Sequence, residues 1–310
     1  MDSVTTPADR FAAATKRQKY QITSEFIESF DFAFDPFQIE ACHAVEDGKG
    51  VLVAAPTGAG KTVVGEFAAF IAIKRGMKCF YTTPIKALSN QKYQEFVARF
   101  GEDRVGLLTG DTSINGEADI LVMTTEVLRN MLYANSTTLK NLGCVVMDEV
   151  HYLADKFRGA VWEEVLIHLM ESVQVISLSA TVSNAEEFGE WLGEIRGSTE
   201  VIVSEIRPIP LYQHVLIGNR LVDLFSQPGQ INSEILKLER EAMRRVRVPR
   251  QRRERFSEDG GRLTRADIIE KLNRENLLPA ITFIFPQSHR HSHNLSWSAL
   301  TPTSLIASKL

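Results

Sequence analysis

Three short runs in this chain of 310 residues carry residue types that could do chemistry together. The first is Ala55-Pro56-Thr57-Gly58-Ala59-Gly60-Lys61-Thr62. A short apolar run, Val51–Ala54, leads into it, and an apolar helical stretch, Val63–Ala72, follows. Backbone N–H groups in such a turn point inward at phosphate oxygens, and the helix N-terminus adds a partial positive charge. Lys61 is expected to reach the outer phosphates and the Thr62 hydroxyl to ligate Mg²⁺. The second run is Val145-Val146-Met147-Asp148-Glu149-Val150-His151. An apolar strand delivers two carboxylates at its C-terminal end, the edge where ligands gather in open α/β sheets. Asp148 is expected to hold Mg²⁺, and Glu149 to orient and deprotonate a water. The third is Ser179-Ala180-Thr181, after the apolar run Val173–Leu178. Its two hydroxyls could hydrogen-bond His151 or Asp148. By itself such a tripeptide is more often a loop or an N-cap.

The elements that would position these runs alternate along the chain. Lys78–Thr82, Val105–Thr109, Ile120–Thr124, Cys144–Asp148 and Val173–Leu178 are further short apolar runs. Helical stretches separate several of them: Lys86–Phe100, Thr125–Ala134, Trp162–Met170 and Ala185–Leu192. That alternation predicts an α/β fold, a parallel sheet covered by helices on both faces. Arg207-Pro208-Ile209-Pro210 stops regular structure. Leu211–Ile217 is a further strand candidate, and residues 218–262 read as linker or insertion. A helix is expected over Ala266–Asn276 and a strand over Leu278–Phe285.

Composition is that of a globular chain, 44% hydrophobic and 24% charged. No apolar run approaches the ~18 residues of a membrane span, and the first residues lack the pattern of a secretory signal. Cys42, Cys79 and Cys144 are odd in number and widely spaced, which fits a reducing, cytoplasmic setting rather than a disulfide framework or zinc site. The net charge of -4 conceals an asymmetry. Residues 1–212 carry 19 Lys and Arg against 29 Asp and Glu, and residues 213–310 carry 16 against 10. The acidic part cannot hold nucleic acid by bulk charge, so any contact there is local. Arg244–Arg255, with seven arginines, reads equally as a phosphate-binding stripe or a solvated linker. His289, His291 and His293 alternate with no carboxylate or cysteine nearby, which makes a metal site there a poor reading.

In order, APTGAGKT, DEVH and SAT resemble the superfamily-two DExH-box helicases, with Ala55 standing where the strict phosphate-loop pattern has Gly. Phe32–Gln38 is similar to the family's adenine-recognition segment, and Thr83-Pro84-Ile85-Lys86-Ala87-Leu88 to its motif Ia. Thr109-Gly110-Asp111 and Thr124-Thr125-Glu126 resemble its next nucleic-acid-contacting motifs. The stretch from His151 through Arg158-Gly159 to Trp162-Glu163-Glu164, and Arg207–Leu211, resemble the exosome-associated RNA helicase group. The arginine-rich segment followed by Leu278–Phe285 looks most like its actinobacterial HelY-type members. The resemblance covers roughly residues 30–285.

It implies an enzyme, an ATP-dependent RNA or DNA helicase built on a RecA-like P-loop domain, using ATP and Mg²⁺. Lys61, Asp148, Glu149 and His151 would form the catalytic set. Phe32 would stack on the base, Gln38 would read its edge, and Ala55 to Thr62 would hold the phosphates, with Thr62 and Asp148 as metal ligands. For Phe37, plain core packing is preferred. Pro84, Lys86, Gly110, Asp111, Thr124, Thr125 and Glu126 would line a single strand, largely through N–H groups, hydroxyls and helix N-termini. Ser179 and Thr181 would couple the two sites. The domains expected are an N-terminal extension (1–30), the ATP-binding domain (31–213), an arginine-rich linker or insertion (214–276) and the start of a second RecA-like lobe (277–285). An irregular tail, frame-shifted or disordered, would follow (286–310). A chain stopping there would lack the second lobe's arginines, which can be worth about 10³ to 10⁵ in rate. The alternative is therefore a module that binds ATP and nucleic acid without unwinding alone. A partner chain could supply the missing lobe.

Overall fold

The computed structural model describes residues 18–154, 159–180, 185–208, 210–217, 220–227, 229–246, 264–282 and 305–306. They fall into two units, one ending at Pro208 and the other beginning at Ile209.

The first unit is built on an eight-stranded sheet in the order β4-β3-β5-β2-β6-β7-β1-β8. The strands are β1 (Gly50–Ala54), β2 (Lys78–Thr83), β3 (Val105–Leu108), β4 (Ser113–Ile114), β5 (Ile120–Thr124), β6 (Leu142–Met147), β7 (Gln174–Ser179) and β8 (Thr199–Val203). All pairings are parallel except that of β4 with β3. The central strands are almost wholly buried, as runs covered on both faces must be. This is the mainly parallel α/β fold expected, with helices α1 (Gln21–Glu28), α2 (Pro36–Glu46), α3 (Thr62–Lys74), α4 (Lys86–Phe100), α5 (Thr125–Tyr133), α6 (Gly159–His168) and α7 (Ala185–Arg196) around the sheet.

Alternation along the strands splits the core in two. Val51, Val53, Tyr81, Val122, Val146 and Leu178 pack with Phe26, Phe37, Phe67 and Phe96 of α1 to α4. Leu52, Phe80, Met123, Met147 and Val175 face the other way, against Leu128, Trp162, Val165 and Leu192 of α5 to α7. Trp162 is fully buried. Truncating an aromatic of that size to alanine costs about 3–5 kcal/mol.

The structure moves several expected limits. The helix expected over Trp162–Met170 runs from Gly159 to His168. Ser179 is the last residue of β7 rather than the first beyond it. The strand candidate Leu211–Ile217 shortens to β9 (His214–Ile217), which pairs antiparallel with β10 (Arg220–Asp223).

Regular structure continues through much of the stretch read as linker. A second hairpin joins β11 (Phe225–Gln227) to β12 (Gln230–Ile231), and α8 spans Ser233–Val246. Asn232 Oδ1 accepts the Glu234 N–H at 3.0 Å and so satisfies an orphan donor at the start of α8. Positions 244 and 245 fall in its last turn. A basic run can thus end a helix, which its composition alone did not indicate. Helix α9 (Arg265–Arg274) follows, with a reciprocal capping box between Thr264 and Asp267. Of the strand expected over Leu278–Phe285, Ile281–Thr282 forms β13, paired with β14 (Leu305–Ile306), and Ile281 is exposed. Residues 1–17, Arg158, Thr181, Ile209, the rest of the basic run (247–255), 283–285, the three tail histidines and most of the tail lie outside the described residues. Among the described residues, no helix is long and apolar enough to cross a membrane.

Candidate active site

The sheet order gathers the singled-out residues on one edge, at the carboxyl ends of the parallel strands. β1 delivers Ala55 to Thr62, β6 delivers Asp148 and Glu149, and β7 lies between them. β2, β5 and β3 deliver Pro84 and Lys86, Thr124 to Glu126, and Gly110 with Asp111. The two groups of candidates therefore occupy adjoining halves of one edge.

The loop after β1 turns on Gly58 and Gly60, both with positive φ (85° and 79°), a region only glycine enters freely. A Cβ on Gly60 would also lie 2.6 Å from Gln38 Nε2. Lys61 is folded against its own loop, its Nζ donating to the carbonyls of Ala55 (2.7 Å) and Pro56 (3.1 Å). Burial lowers its pKa, and Glu149 and Asp148 oppose that shift.

Gln38 does two jobs in this structure. As the third residue of α2, its Oε1 accepts the Asp35 N–H at 2.8 Å, half of a capping box begun by Asp35 and followed by Pro36. Its Nε2 donates to the carbonyls of Gly60 (3.0 Å) and Ala59 (3.4 Å). The amide expected to read a base edge therefore pins the loop after β1. Phe32 is 53% exposed, with its ring 5.6 Å from Phe34 and nearly parallel to it. Phe37 is buried core, as preferred from the sequence.

Asp148 follows β6 directly, its N–H still bonded to the Thr82 carbonyl at 3.0 Å. Its Oδ1 accepts the Glu149 N–H (2.9 Å) and its Oδ2 accepts the Tyr81 hydroxyl (2.7 Å). Tyr81 is fully buried, and burial together with Asp148 holds its pKa well above the usual phenol value. Glu149 has φ 56°. A left-handed non-glycine backbone costs on the order of 1–3 kcal/mol and clusters at functional sites. Burial, then the neighbouring Asp148, raises the Glu149 pKa, against the lowering effect of His151, Lys61 and Lys92. His151 Nδ1 lies 3.2 Å from Glu149 Oε2, within ion-pair range but off the angle of a hydrogen bond.

Thr62 Oγ1 accepts from Lys92 Nζ at 3.1 Å, and Lys92 also bonds Glu95. Sequence reasoning did not single out Tyr81 or Lys92. Neither belongs to a motif, and the proximity of each to the site exists only once α3, α4, β2 and β6 are assembled. Thr62 and Asp148 offer hard oxygen donors suited to Mg²⁺. Among the described residues no cluster of three or more His, Cys, Asp or Glu could cage a metal. That sparse donor set fits an ion that keeps waters and shares its ligation with phosphates.

On the other half of the edge, Lys86 Nζ grips both oxygens of Asp111 (2.7 and 2.6 Å) and holds that carboxyl below the usual carboxylate range. Thr109 Oγ1 donates to the same carboxylate at 3.1 Å. Thr125 is buried, its hydroxyl donating to the Thr83 carbonyl at 3.3 Å. Thr124 is the N-cap residue of α5, and Glu126 lies in its first turn. Pro84 is buried and Gly110 exposed. Ser179 is buried at the end of β7, its carbonyl accepting the Ala55 N–H at 3.1 Å.

Residues 35–188 match the family described as DEAD/DEAH box helicase. The helicase HelY of Mycobacterium tuberculosis is 56% identical over 278 residues, 85% of this chain and 30% of that protein. The chloroplastic DExH-box ATP-dependent RNA helicase DExH15 of Arabidopsis thaliana is 48% identical over 211 residues, 66% of this chain and 18% of that protein. The antiviral helicase SKI2 of Saccharomyces cerevisiae is 45% identical over 210 residues, 67% of this chain and 16% of that protein. This chain thus spans under a third of the length of these relatives. The motif order, the parallel sheet that aligns those motifs and these likenesses agree, and the chain belongs, through residues 35–188, to the DEAD/DEAH box helicases.

Proposed function

We propose that this chain is the ATP-binding lobe of a nucleic-acid-dependent ATPase of helicase type, acting on single-stranded RNA, with DNA the alternative strand. The observation that carries the reading is the convergence of Lys61, in the loop after β1, with Asp148 and Glu149, after β6, both of which oppose the lowering of the lysine pKa by burial. Ala55 to Lys61 would hold the phosphates through loop N–H groups and the lysine ammonium. Thr62 and Asp148 would hold Mg²⁺, which when bound neutralises charge developing on the phosphates. Glu149, its pKa raised by burial, would take a proton from a water, with His151 beside its carboxylate. Phe32 and Gln38 would receive the base once the Gln38 amide leaves the loop carbonyls. Lys86, Asp111, Pro84, Gly110 and Thr124 to Glu126 would contact the strand. With the Thr125 hydroxyl spent internally, the N–H groups at the start of α5 are what that position offers a phosphate. Ser179 and Thr181 would link the two halves. Free thiols at Cys42, Cys79 and Cys144 support a reducing, cytoplasmic setting.

A second reading is binding without unwinding by this chain alone. Among the described residues, the groups that lower the Glu149 pKa are His151, Lys61 and Lys92, and none of them is an arginine of the kind that stabilises a transferring phosphoryl group. Steady-state ATP hydrolysis with and without single-stranded RNA, with Lys61→Ala as the blank, tests both. Turnover that rises with RNA supports the ATPase reading. Nucleotide binding without stimulated turnover supports the second, and no nucleotide binding by the unaltered chain refutes both.

A further inference from the structure

Asp148 is held from a strand that carries none of the three runs expected to do chemistry. Tyr81 of β2 stands in register with Val146 of β6. Side chains alternate along strands, so residue 148 continues the face of Val146, the face covered by α3 and α4. Two residues along a strand is about 6.6 Å, a span that a phenol leaning along the strand can cover. The Tyr81 hydroxyl donates to Asp148 Oδ2 at 2.7 Å.

The ring that carries this hydroxyl has no room to move. It is 0% exposed, and Phe96 packs edge-on at 5.0 Å between centroids. Gly65 of α3 faces it, where a Cβ would lie 2.7 Å from Tyr81 Cε2 and 3.3 Å from Val146 Cγ1. The other carboxylate oxygen is bonded by the Glu149 N–H, a donor that the turn after β6 supplies by itself. Among the described residues, Tyr81 is the side chain that donates to Oδ2.

We propose that Tyr81 is a positioning residue for Mg²⁺-dependent nucleotide binding, its hydroxyl fixing the orientation of the Asp148 carboxylate in a space that Gly65 leaves open. The inference rests on the reading of Asp148 given under Proposed function. Both of these donors are neutral, so neither cancels the charge of the carboxylate it orients. Phenylalanine at 81 would preserve the packing and free Oδ2 to turn away. A hydrogen bond to a charged group corresponds to about tenfold in an equilibrium constant.

The test titrates Mg²⁺ into the 310-residue chain with a fluorescent ADP, and repeats the binding in EDTA, for the unaltered protein, Tyr81→Phe and Gly65→Ala. Tyr81→Phe is expected to need about tenfold more Mg²⁺ at half-maximal binding, while binding in EDTA stays unchanged. Gly65→Ala keeps the phenol but displaces its ring, and shifts the Mg²⁺ midpoint the same way. If Gly65→Ala does not fold, Tyr81→Phe alone decides. An unchanged Mg²⁺ midpoint in Tyr81→Phe overturns the inference, as does an equal loss with and without Mg²⁺, which is what a merely structural role gives. Binding by the unaltered chain that ignores Mg²⁺ overturns the reading of Asp148, and this inference with it.

Discussion

Replacing Gln38 by glutamate keeps the shape of the side chain and inverts one of its ends. The Oε1 acceptor for the Asp35 N–H survives. The Nε2 donor becomes an oxygen facing the carbonyls of Gly60 and Ala59. Gln38 is 4% exposed, so water cannot repair the loss. Two hydrogen bonds at about 1 kcal/mol each, plus the penalty of a buried, unsatisfied oxygen, give about 3 kcal/mol at neutral pH. The carboxylate can escape much of this by binding a proton, since the acid form donates again to a loop carbonyl. The part recovered on protonation raises the folded-state pKa of the new carboxyl above the ordinary glutamate value of about 4.3. Between the ordinary and the raised value the folded variant binds more protons than the unfolded one, so its stability falls as pH rises. The variant should therefore melt about 6–12 °C below the unaltered protein at pH 7.5. The gap should narrow to a few degrees near pH 4.5, and Gln38→Ala should show a loss that does not depend on pH. Thermal unfolding followed by circular dichroism across that range measures it. A Gln38→Glu gap equal at both ends of the range, or no gap, would refute the assignment of the amide donor to the Gly60 and Ala59 carbonyls.

Glu149→Gln should retain nucleotide binding and lose most hydrolysis, because shape persists while the proton acceptor goes. Equal turnover by the variant in a phosphate-release assay would show that the base is misassigned. Gly106→Ala should destabilise the first unit by about 1–3 kcal/mol or more, since a Cβ there would lie 2.2 Å from the Asn115 carbonyl oxygen; chemical denaturation should show the loss, and an unchanged midpoint would contradict the close approach of Asn115 to β3. Burial raises the Glu66 pKa against the opposing pull of Arg99 and Lys92. Stability therefore falls as pH rises from the ordinary glutamate value through the raised one, and Glu66→Gln should stabilise more at pH 7.5 than at pH 4. A melting-temperature difference that is the same at both pH values would count against that burial.

Much of the candidate site was legible because its parts are local. A glycine turn between a strand and a helix needs only neighbouring residues to define it, and Gly58 and Gly60 take the positive φ that such a turn demands. The strand Val145–Met147 followed by two acids is likewise a short-range pattern. Elements were legible to within a few residues wherever apolar runs were bounded by turns, Lys86–Phe100 to the residue. The region after Pro210 was read less well, since hairpins of two to four residues and a helix ending in arginines leave little periodicity in the sequence.

Residue types and spacing alone determined the fold class, the glycine turn after β1 and the acidic end of β6, because chain connectivity enforces those relations. The tertiary structure decided what lies between strands distant in sequence. It placed β2 beside β6, so that Tyr81 meets Asp148 across 67 positions. It turned Lys92 of α4 toward Thr62 and bound Gln38 to the loop it was expected only to stand near. Register and helix packing set those contacts to within an ångström, and neither is written in any one stretch of the chain.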